Sequence, residues 1–308
     1  LAIKGIVFAS NKKAKHILTI KTEHKAVLDT CEYVRKLGVD VDYLDVDNEG
    51  YVDFDNLESH IKDHTILVAV LHGNNEIGTI NPVDEIGQIC QKKGIPLLVD
   101  AAQTFGKIPI SLKSNSISML AGSAHKIYGP KGVGFLYKHR SIRLDPLIHG
   151  GGHEMGLRSG TLNVPGIVGL GKASELAIKS IFDNQSIMTK YSEIFLESIK
   201  NEDIDFSLNG PKTNRLPGNL NICFHDMDTD WLILHTPTVA ISKGSACTTD
   251  TISPSHVLRS LGLSDKDADS SIRISFGRFT KEEEVKIAAN AISLSIKKYF
   301  QKKKEVFV

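Results

Sequence analysis

The uninterrupted apolar run Thr65–Leu71 (TILVAVL) is the strongest constraint on the fold of this chain. A strand with one wet face alternates apolar and polar residues, whereas a run apolar at nearly every position fits a strand covered on both faces. His16–Ile20 reads as a second short buried strand, Val39–Leu44 alternates as a third, and Pro96–Val99, Ser116–Leu120 and Gly134–Tyr137 follow. Between them Val27, Leu28, Cys31, Val34 and Leu37 recur at helical spacing up to Gly38, and Val83, Ile86, Ile89 and Cys90 do so up to Gly94. Strands alternating with helices predict an α/β domain, a mainly parallel sheet with helices on both faces.

After Gly150–Gly152 the texture changes. Pro165–Ile181 reads as a long helix, followed by a polar break near Asp183–Ser186, a helix to about Lys200, and short strands at Asn219–Phe224, Val239–Ile241 and Ser270–Ser275. A capping box, Thr280 with Glu283, opens a last helix with Val285, Ala288, Ile292 and Ile296 as its buried stripe. With 308 residues and about 150 per domain, two domains are expected: 1–180, and a smaller α+β domain over 181–308. The lysines between Lys297 and Lys304 read as a solvated helix end.

Charge and cysteine usage narrow the function classes. Lys and Arg total 37 against 36 Asp and Glu, a net +1 that argues against a nucleic-acid or membrane-surface binder. No stretch approaches the roughly 18–20 apolar residues of a membrane span. Cys31, Cys90, Cys223 and Cys247 show no CxxC pair and no metal-type spacing, so a reducing compartment, the cytoplasm, is expected. The start, Leu-Ala-Ile-Lys-Gly, has neither an initiator Met nor a signal peptide, and reads as the inside of a helix in a chain lacking an N-terminal segment.

Open parallel sheets bind ligands beyond the carboxyl ends of their strands. Those ends carry Thr22-Glu23-His24, then His72-Gly73-Asn74-Asn75-Glu76, then Asp100-Ala101-Ala102-Gln103, then Ser123-Ala124-His125-Lys126. The inventory suits pyridoxal phosphate (PLP), which needs a lysine for a Schiff base, a carboxylate to keep its pyridine nitrogen protonated, phosphate donors and a flat group over the ring. Lys126, Asp100, Ser123 with His125, and His24 meet those needs in turn, with Asn75 and Gln103 as partners for the 3-oxygen. Singly, each has a plainer reading: Asp100 as a helix cap, Lys126 as a turn lysine beside Gly129-Pro130-Lys131-Gly132, His24 as a helix-start residue. The chain has no GxGxxG after a strand, no P-loop ending and no GxSxG elbow, and the glycines between His149 and His153 break the helix that a zinc pair needs. Small polar neighbours surround Cys247 in Gly244-Ser245-Ala246-Cys247-Thr248-Thr249, an exposed-thiol pattern unlike Cys31 and Cys90 on apolar stripes. Arg273, on a strand-like segment, has the geometry to grip a carboxylate, or is a surface strand residue.

Thr22-Glu23-His24-Lys25-Ala26-Val27, Asn74-Asn75-Glu76-Ile77-Gly78, Val99-Asp100-Ala101-Ala102-Gln103, His125-Lys126-Ile127-Tyr128-Gly129-Pro130-Lys131-Gly132, Arg158-Ser159-Gly160-Thr161, Gly244-Ser245-Ala246-Cys247 and Ser271-Ile272-Arg273 together resemble NifS/IscS-type cysteine desulfurases. They stand in that family's order across nearly the whole chain. The resemblance implies a PLP enzyme of fold type I, normally a homodimer, that takes sulfur from L-cysteine and releases L-alanine. It implies Lys126 as the cofactor lysine, Asp100 at the pyridine nitrogen, His24 over the ring and in proton transfer, and Gln103 and Asn75 at the 3-oxygen or substrate. It further implies Ser123 and His125 at the phosphate, Thr161 lent to the neighbouring subunit's phosphate site, Arg273 at the substrate carboxylate, and Cys247 as the thiol that becomes a persulfide.

The stretch Thr248–Pro254 resembles the longer loop of the family's first class, whose sulfur goes to an acceptor protein such as an iron–sulfur scaffold, for cluster assembly or tRNA thiolation. The chain departs from the family in starting after its Gly-Ala-Thr-Glu phosphate turn, in Met155 where an Arg is common, in Lys243 before Gly-Ser-Ala-Cys, and in ending at Val308 without a longer tail. Three readings stand: a cysteine desulfurase of the cytoplasm, or of the mitochondrial matrix in a eukaryote; a selenocysteine lyase or other carbon–sulfur lyase; and a shortened, inactive chain serving as a dimer or sulfur-relay partner.

Overall fold

The computed structural model describes residues 1–113, 116–243 and 254–306. They form two compact units, the first built from Leu1–Asp47, Tyr51–Asn74 and Ile80–Ile181, the second from Asn48–Gly50, Asn75–Thr79 and the chain from Phe182 onward. The fold class is α/β.

The first unit is organised by six strands, β1 (His16–Ile20), β2 (Asp40–Leu44), β3 (Thr65–Leu71), β4 (Leu97–Asp100), β5 (Met119–Ser123) and β6 (Gly134–Lys138), in the order β2-β1-β3-β4-β5-β6. The first five run parallel and β6 closes the edge antiparallel to β5. β3 is buried along its whole length, and its side chains divide between two cores, as successive residues of a strand must. Leu67 and Ala69 join Ile3 and Val7 of α1 (Ala2–Ala9) and Val27, Cys31 and Val34 of α2 (Lys25–Lys36). Val68 and Val70 join Leu57 of α3 (Phe54–Ser59) and Val83, Ile86 and Cys90 of α4 (Val83–Lys92). The continuous apolar run is thus one strand feeding two helical layers.

Two local expectations shift in this unit. Leu37, expected on the buried stripe of α2, is 54% exposed at that helix's C-cap, because the helix has already turned away there. The strand expected over Ser116–Leu120 pairs from Met119 to Ser123. Its small residues carry the pairing with β6, and a side chain at Gly122 would run into the Phe135 ring.

In the second unit α6 (Ile181–Asn201) runs through the polar stretch Asp183–Ser186, which was expected to be a break. Asp183 sits in the first turn of α6, where a negative charge favours the helix. The helix junction falls instead at Ser180, just beyond α5 (Val164–Lys179). A four-stranded antiparallel sheet has the order β7-β8-β10-β9, from β7 (Ser207–Leu208), β8 (Asn219–Cys223), β9 (Ser242–Lys243) and β10 (Ser271–Ser275). Ser242 and Lys243, rather than Val239–Ile241, make the ladder, because they lie opposite Arg273 and Ile272. α7 (Thr229–His235), α8 (His256–Ser260), α9 (Asp265–Asp269) and α10 (Glu282–Val306) complete the unit.

Phe195 and Ile199 of α6, Ile222 and Phe224, Ile272 and Ile274, and Val285, Ala289, Ile292 and Ile296 of α10 form its core. Ala289, not Ala288, is the fully buried alanine of that stripe. The cap of α10 is displaced by a residue: Glu284 accepts the Lys281 N–H at 2.8 Å, while the Thr280 hydroxyl accepts Gly277 N–H at 3.0 Å. Among the described residues no helix is long and apolar enough to cross a membrane.

α4 lies so close to the approach to β5 that a Cβ at Gly87 would stand 2.7 Å from the Ser116 carbonyl oxygen. Gly87→Ala gains about 1 kcal/mol of helix propensity. The backbone contact cannot swing aside as a side chain could, and overpacking of this kind costs about 1–3 kcal/mol. The expected outcome is a net loss of about 1 kcal/mol in urea unfolding, the middle of that range less the propensity gain. A variant as stable as the parent would show that α4 moves freely over this face.

Candidate functional site

Strand order reverses between β1 and β3, and at such a switch point the connections diverge and leave a crevice at the carboxyl ends. The chain leaving β1 enters it as Thr22-Glu23-His24. Glu23 is fully buried, and its carboxyl accepts the Leu71 amide proton. Burial first, and then the nearby Asp100 charge, push the Glu23 carboxyl well above its ordinary range, with the Leu71 hydrogen bond opposing them. His24 is exposed and caps α2, its Nδ1 accepting Ala26 N–H at 3.1 Å. That bond places the proton of a neutral ring on Nε2. Nearby amides are tied to the backbone: Asn74 donates to the Thr22 carbonyl at 3.0 Å, and Asn81 to the Leu71 carbonyl at 2.8 Å.

β4 ends at Asp100, whose carboxylate accepts Ala102 N–H at 2.9 Å. Burial raises its pKa, and the Ala102 amide, then His24 and Lys126, pull the other way. Gln103 follows in the turn, and the Lys107 ammonium donates to its Oε1 at 2.9 Å. Burial, with the charge of Lys126 adding to it, brings Lys107 down to about 8. β5 ends at Ser123, whose hydroxyl lies 2.8 Å from His125 Nδ1. His125 titrates below its ordinary range through burial and the charges of Lys126 and Lys131.

Lys126 itself rides on a 3₁₀ turn, Ala124–Ile127, closed by Tyr128 in the left-handed conformation at φ 66°. The turn is clamped from below, because Ile127 packs with Ala173 and Ala177 of α5. A left-handed non-glycine costs of order 1 kcal/mol or more and persists where packing over-determines it.

The first unit therefore brings His24 and Lys126 each within electrostatic reach of Asp100, with Gln103 and the Ser123–His125 pair on the same strand ends. Asn75 and Arg273 meet in the second unit, where the Asn75 carbonyl accepts from Asn219 Nδ2 at 3.2 Å and from Arg273 Nη1 at 3.4 Å. Thr161 is exposed just before α5 and joins neither group. Cys247 lies outside the described residues. Glu23 and Lys107 were not singled out in the sequence. Lys107 had one signal there, four residues from Gln103; Glu23 had only its place beside His24.

Chemically, the crevice offers a lysine amine, a carboxylate whose hydrogen bond comes from a backbone amide, an imidazole with a defined tautomer, and a hydroxyl–imidazole pair. Asp100 is the informative member. A carboxylate that burial disfavours, at the end of a sheet strand, is matched to a ligand bringing its own positive charge. The donor set fits PLP, with a protonated ring nitrogen for Asp100 and phosphate oxygens for Ser123 and His125.

Comparison with known proteins agrees with this chemistry. Residues 1–287 match the family model for class-V aminotransferases. The chain is 46% identical over 300 residues to cysteine desulfurase IscS of Shewanella sp. (strain ANA-3), covering 97% of this chain and 74% of that protein. It is 49% identical over 298 residues to the protein of the same name from Buchnera aphidicola subsp. Acyrthosiphon pisum (strain 5A), covering 96% and 74%. Among solved structures, a NifS-like protein superposes with a TM-score of 0.88 at 35% identity over 96% of this chain and 79% of that one. SspA, determined in complex with cysteine, gives 0.78 at 38% identity over 91% and 78%.

The protonation of Glu23 has a measurable consequence. The folded chain keeps this proton at pH values where the unfolded carboxyl, near 4.5, has lost it. The folded state thus binds more protons, and the stability this group contributes is present below that pH and lost as pH rises toward the folded pKa. Glu23→Gln keeps an acceptor for Leu71 and removes the titration. In urea unfolding its stability relative to the parent is expected to rise between pH 4 and pH 8. A difference between the two proteins that stays flat with pH would mean that Glu23 is ionised in the fold.

Proposed function

We propose that this chain, which belongs to the class-V aminotransferase family, is a PLP-dependent cysteine desulfurase that moves the sulfur of L-cysteine onto Cys247 and releases L-alanine. The observation that carries the proposal is the convergence of Lys126, Asp100 and His24 at the carboxyl ends of β5, β4 and β1. The family is PLP-dependent, and relatives named cysteine desulfurase share 46% and 49% of their aligned residues with it. A solved neighbour described in complex with cysteine supports that amino acid as substrate.

Bound PLP supplies an electron sink that weakens the bonds at the substrate's α-carbon. The chain's own groups do the rest. Lys126 Nζ would hold the cofactor covalently and, once freed by the substrate amine, would take the α-proton. Asp100 would keep the ring nitrogen protonated, a pairing that would offset the burial penalty on its carboxylate. His24, with Nδ1 occupied by Ala26, presents Nε2 for hydrogen bonding and proton movement. Ser123 and His125 hold the phosphate, Gln103 and Asn75 the 3-oxygen or substrate, Arg273 the substrate carboxylate, and Thr161 the phosphate of a second subunit in a homodimer.

The Cys247 thiolate attacks the substrate sulfur, so an S–S bond forms as the Cβ–S bond breaks. The electron pair of that bond stays with the substrate carbon, which is then protonated to alanine. The enzyme keeps a persulfide to hand to an acceptor protein such as an iron–sulfur scaffold, for cluster assembly or tRNA thiolation. In this reading 1–180 is the cofactor domain and 181–308 carries the cysteine loop. Free, buried Cys31, Cys90 and Cys223 accord with a reducing compartment such as the cytoplasm.

The test is alanine release from L-cysteine by the purified chain with PLP and a thiol reductant. The parent is expected to form alanine. Lys126→Ala is expected to lose at least about a hundredfold, the scale of positioned proton transfer. Cys247→Ser is expected to lose sulfur transfer while still binding the cofactor. Alanine release that persists in Cys247→Ser would point to a selenocysteine lyase or another carbon–sulfur lyase, and no cofactor binding by the parent would sink the enzyme reading.

A further inference from the structure

The antiparallel pairing of β8 with β10 sets Cys223 opposite Ser271, just beyond α9. Two residues past Cys223 the chain presents His225, and α9 presents Asp267 from the other side. The donor atoms of Cys223, His225 and Asp267 all lie within 4.8 Å of one another. Cys223 Sγ is 3.7 Å from His225 Nδ1, and His225 Nδ1 is 3.7 Å from Asp267 Oδ1. The second distance is too long for an N–H···O hydrogen bond, which falls near 2.7–3.2 Å.

Both distances suit a shared ion. Tetrahedral zinc, with about 2.3 Å to sulfur and about 2.0–2.2 Å to nitrogen and oxygen, places neighbouring ligand atoms roughly 3.4–3.6 Å apart. The surroundings orient the ligands, as outer-shell groups do in metal sites. Ser264 donates to Asp267 Oδ2 at 2.7 Å, which leaves Oδ1 as the oxygen toward His225. The Cys223 thiol donates to the Asp267 carbonyl at 3.4 Å, which holds the sulfur against α9. Cys223 forms a buried floor, while the His225 and Asp267 side chains are 40% and 42% exposed, which leaves an approach from solvent. The neighbouring Lys266 ammonium is engaged by Asp226.

A second cluster, His16 with Asp40 and Asp42, also gathers its donor atoms within 4.8 Å. Its cation is already present, because Lys62 Nζ sits 2.9 Å from Asp40 and 2.8 Å from Asp42. Among the described residues, no lysine forms an ion pair with Asp267 of the Cys223 cluster.

We infer that Cys223, His225 and Asp267 bind a divalent cation of zinc type, with water as the fourth ligand. A thiolate, an imidazole and a carboxylate together select zinc over magnesium or calcium, which prefer all-oxygen sites. On binding, the Cys223 thiol proton leaves to solvent as the sulfur–metal bond forms, His225 coordinates through Nδ1 with its proton on Nε2, and no electron is transferred. The ion joins the end of β8 to α9, and it uses none of the residues assigned to sulfur transfer.

Cobalt(II) reports tetrahedral thiolate sites by visible absorption, and Cys247 is a competing thiol. The experiment therefore titrates the PLP-loaded Cys247→Ser chain with cobalt(II), then displaces it with zinc(II). Expected are intense ligand-field bands saturating at one cobalt per chain, reversed by zinc. Adding Cys223→Ser or His225→Ala is expected to remove them. Ser264→Ala removes both the bond that orients Asp267 and the cap of α9, and in a chain shown to be folded it is expected to weaken cobalt binding by about 10–100-fold. Zinc should also raise the thermal unfolding midpoint of the parent, since it binds only the folded cluster, and leave the His225→Ala midpoint unchanged. Weak octahedral-type absorption in the Cys247→Ser chain, or tetrahedral bands that survive Cys223→Ser in a chain shown to be folded, would overturn the assignment.

Discussion

The hydrogen bond from the Leu71 amide to the Glu23 carboxyl is the joint on which the crevice depends. β1 ends at Ile20, while β3 runs on to Leu71, so the outer edge of β3 loses its strand partner where the two connections diverge. An amide left unpaired in that interior would be costly. Glu23 takes the vacated place, and Glu23 N–H in turn donates to the Ile20 carbonyl at 3.3 Å. The chain is thereby pinned as it leaves the sheet, and the next residue, His24, starts α2 from an extended conformation with ψ 148°. Across β3 the register sets Leu71 opposite Asp100. A protonated Glu23 leaves Asp100 as the single carboxylate charge of this pair, which is the condition for pairing it with a cationic ring. Sheet geometry and site electrostatics thus meet in one buried acid.

The sequence carried the parts of the fold that periodicity encodes. TILVAVL could be read as a strand covered on both faces because strand side chains alternate between faces, so one layer hides only about half of such a run, and Val83, Ile86 and Cys90 mark the side of α4 that seals one face. Elements built from small or polar residues were harder to read. Gly122 and Ser123 belong to β5 through backbone pairing with Phe135 and Gly134, which leaves no hydrophobic trace. Asp183–Ser186 was taken for a break because its residues are polar, yet a long helix accommodates polar residues wherever they fall outside its buried stripe, as these four do, exposed or half-buried. The Thr280–Glu283 box failed by one residue, since cap geometry depends on where the preceding chain turns, and here Thr280 is occupied by Gly277.

The candidate site was legible to the extent that strand ends announce themselves. His24, Asp100, Ser123, His125 and Lys126 follow buried strands directly, and the open parallel sheet sends them to one edge. The apportioning of the chain between two units was less visible. His72-Gly73-Asn74-Asn75-Glu76 reads as one strand end, but Asn74 stays with the large sheet while Asn75 belongs to the second unit. There the grip falls on the Asn75 backbone carbonyl, which Asn219 and Arg273 both reach. Main-chain capture of this kind has no signature in residue type. The metal-type cluster is hidden for a related reason: Asp267 is far from Cys223 in sequence and is brought close only by the β8–β10 ladder.

Lys107 shows how a residue without a strand-end position can still direct the chemistry. A lysine ammonium has hydrogens to donate and nothing to accept with, so the atom of Gln103 that faces it must be the amide oxygen, as found at 2.9 Å. The Gln103 NH₂ is then turned the other way and becomes a donor. A donor is what an anionic oxygen on a bound ring requires, whereas the opposite amide orientation would present lone pair to lone pair. Burial and the charge of Lys126 bring Lys107 down to about 8, and only the ammonium form is donor-only, so the orientation of Gln103 is enforced below that pH and relaxes above it, where the neutral amine also offers a lone pair. A methionine or leucine in place of Lys107 would free the amide to rotate at every pH.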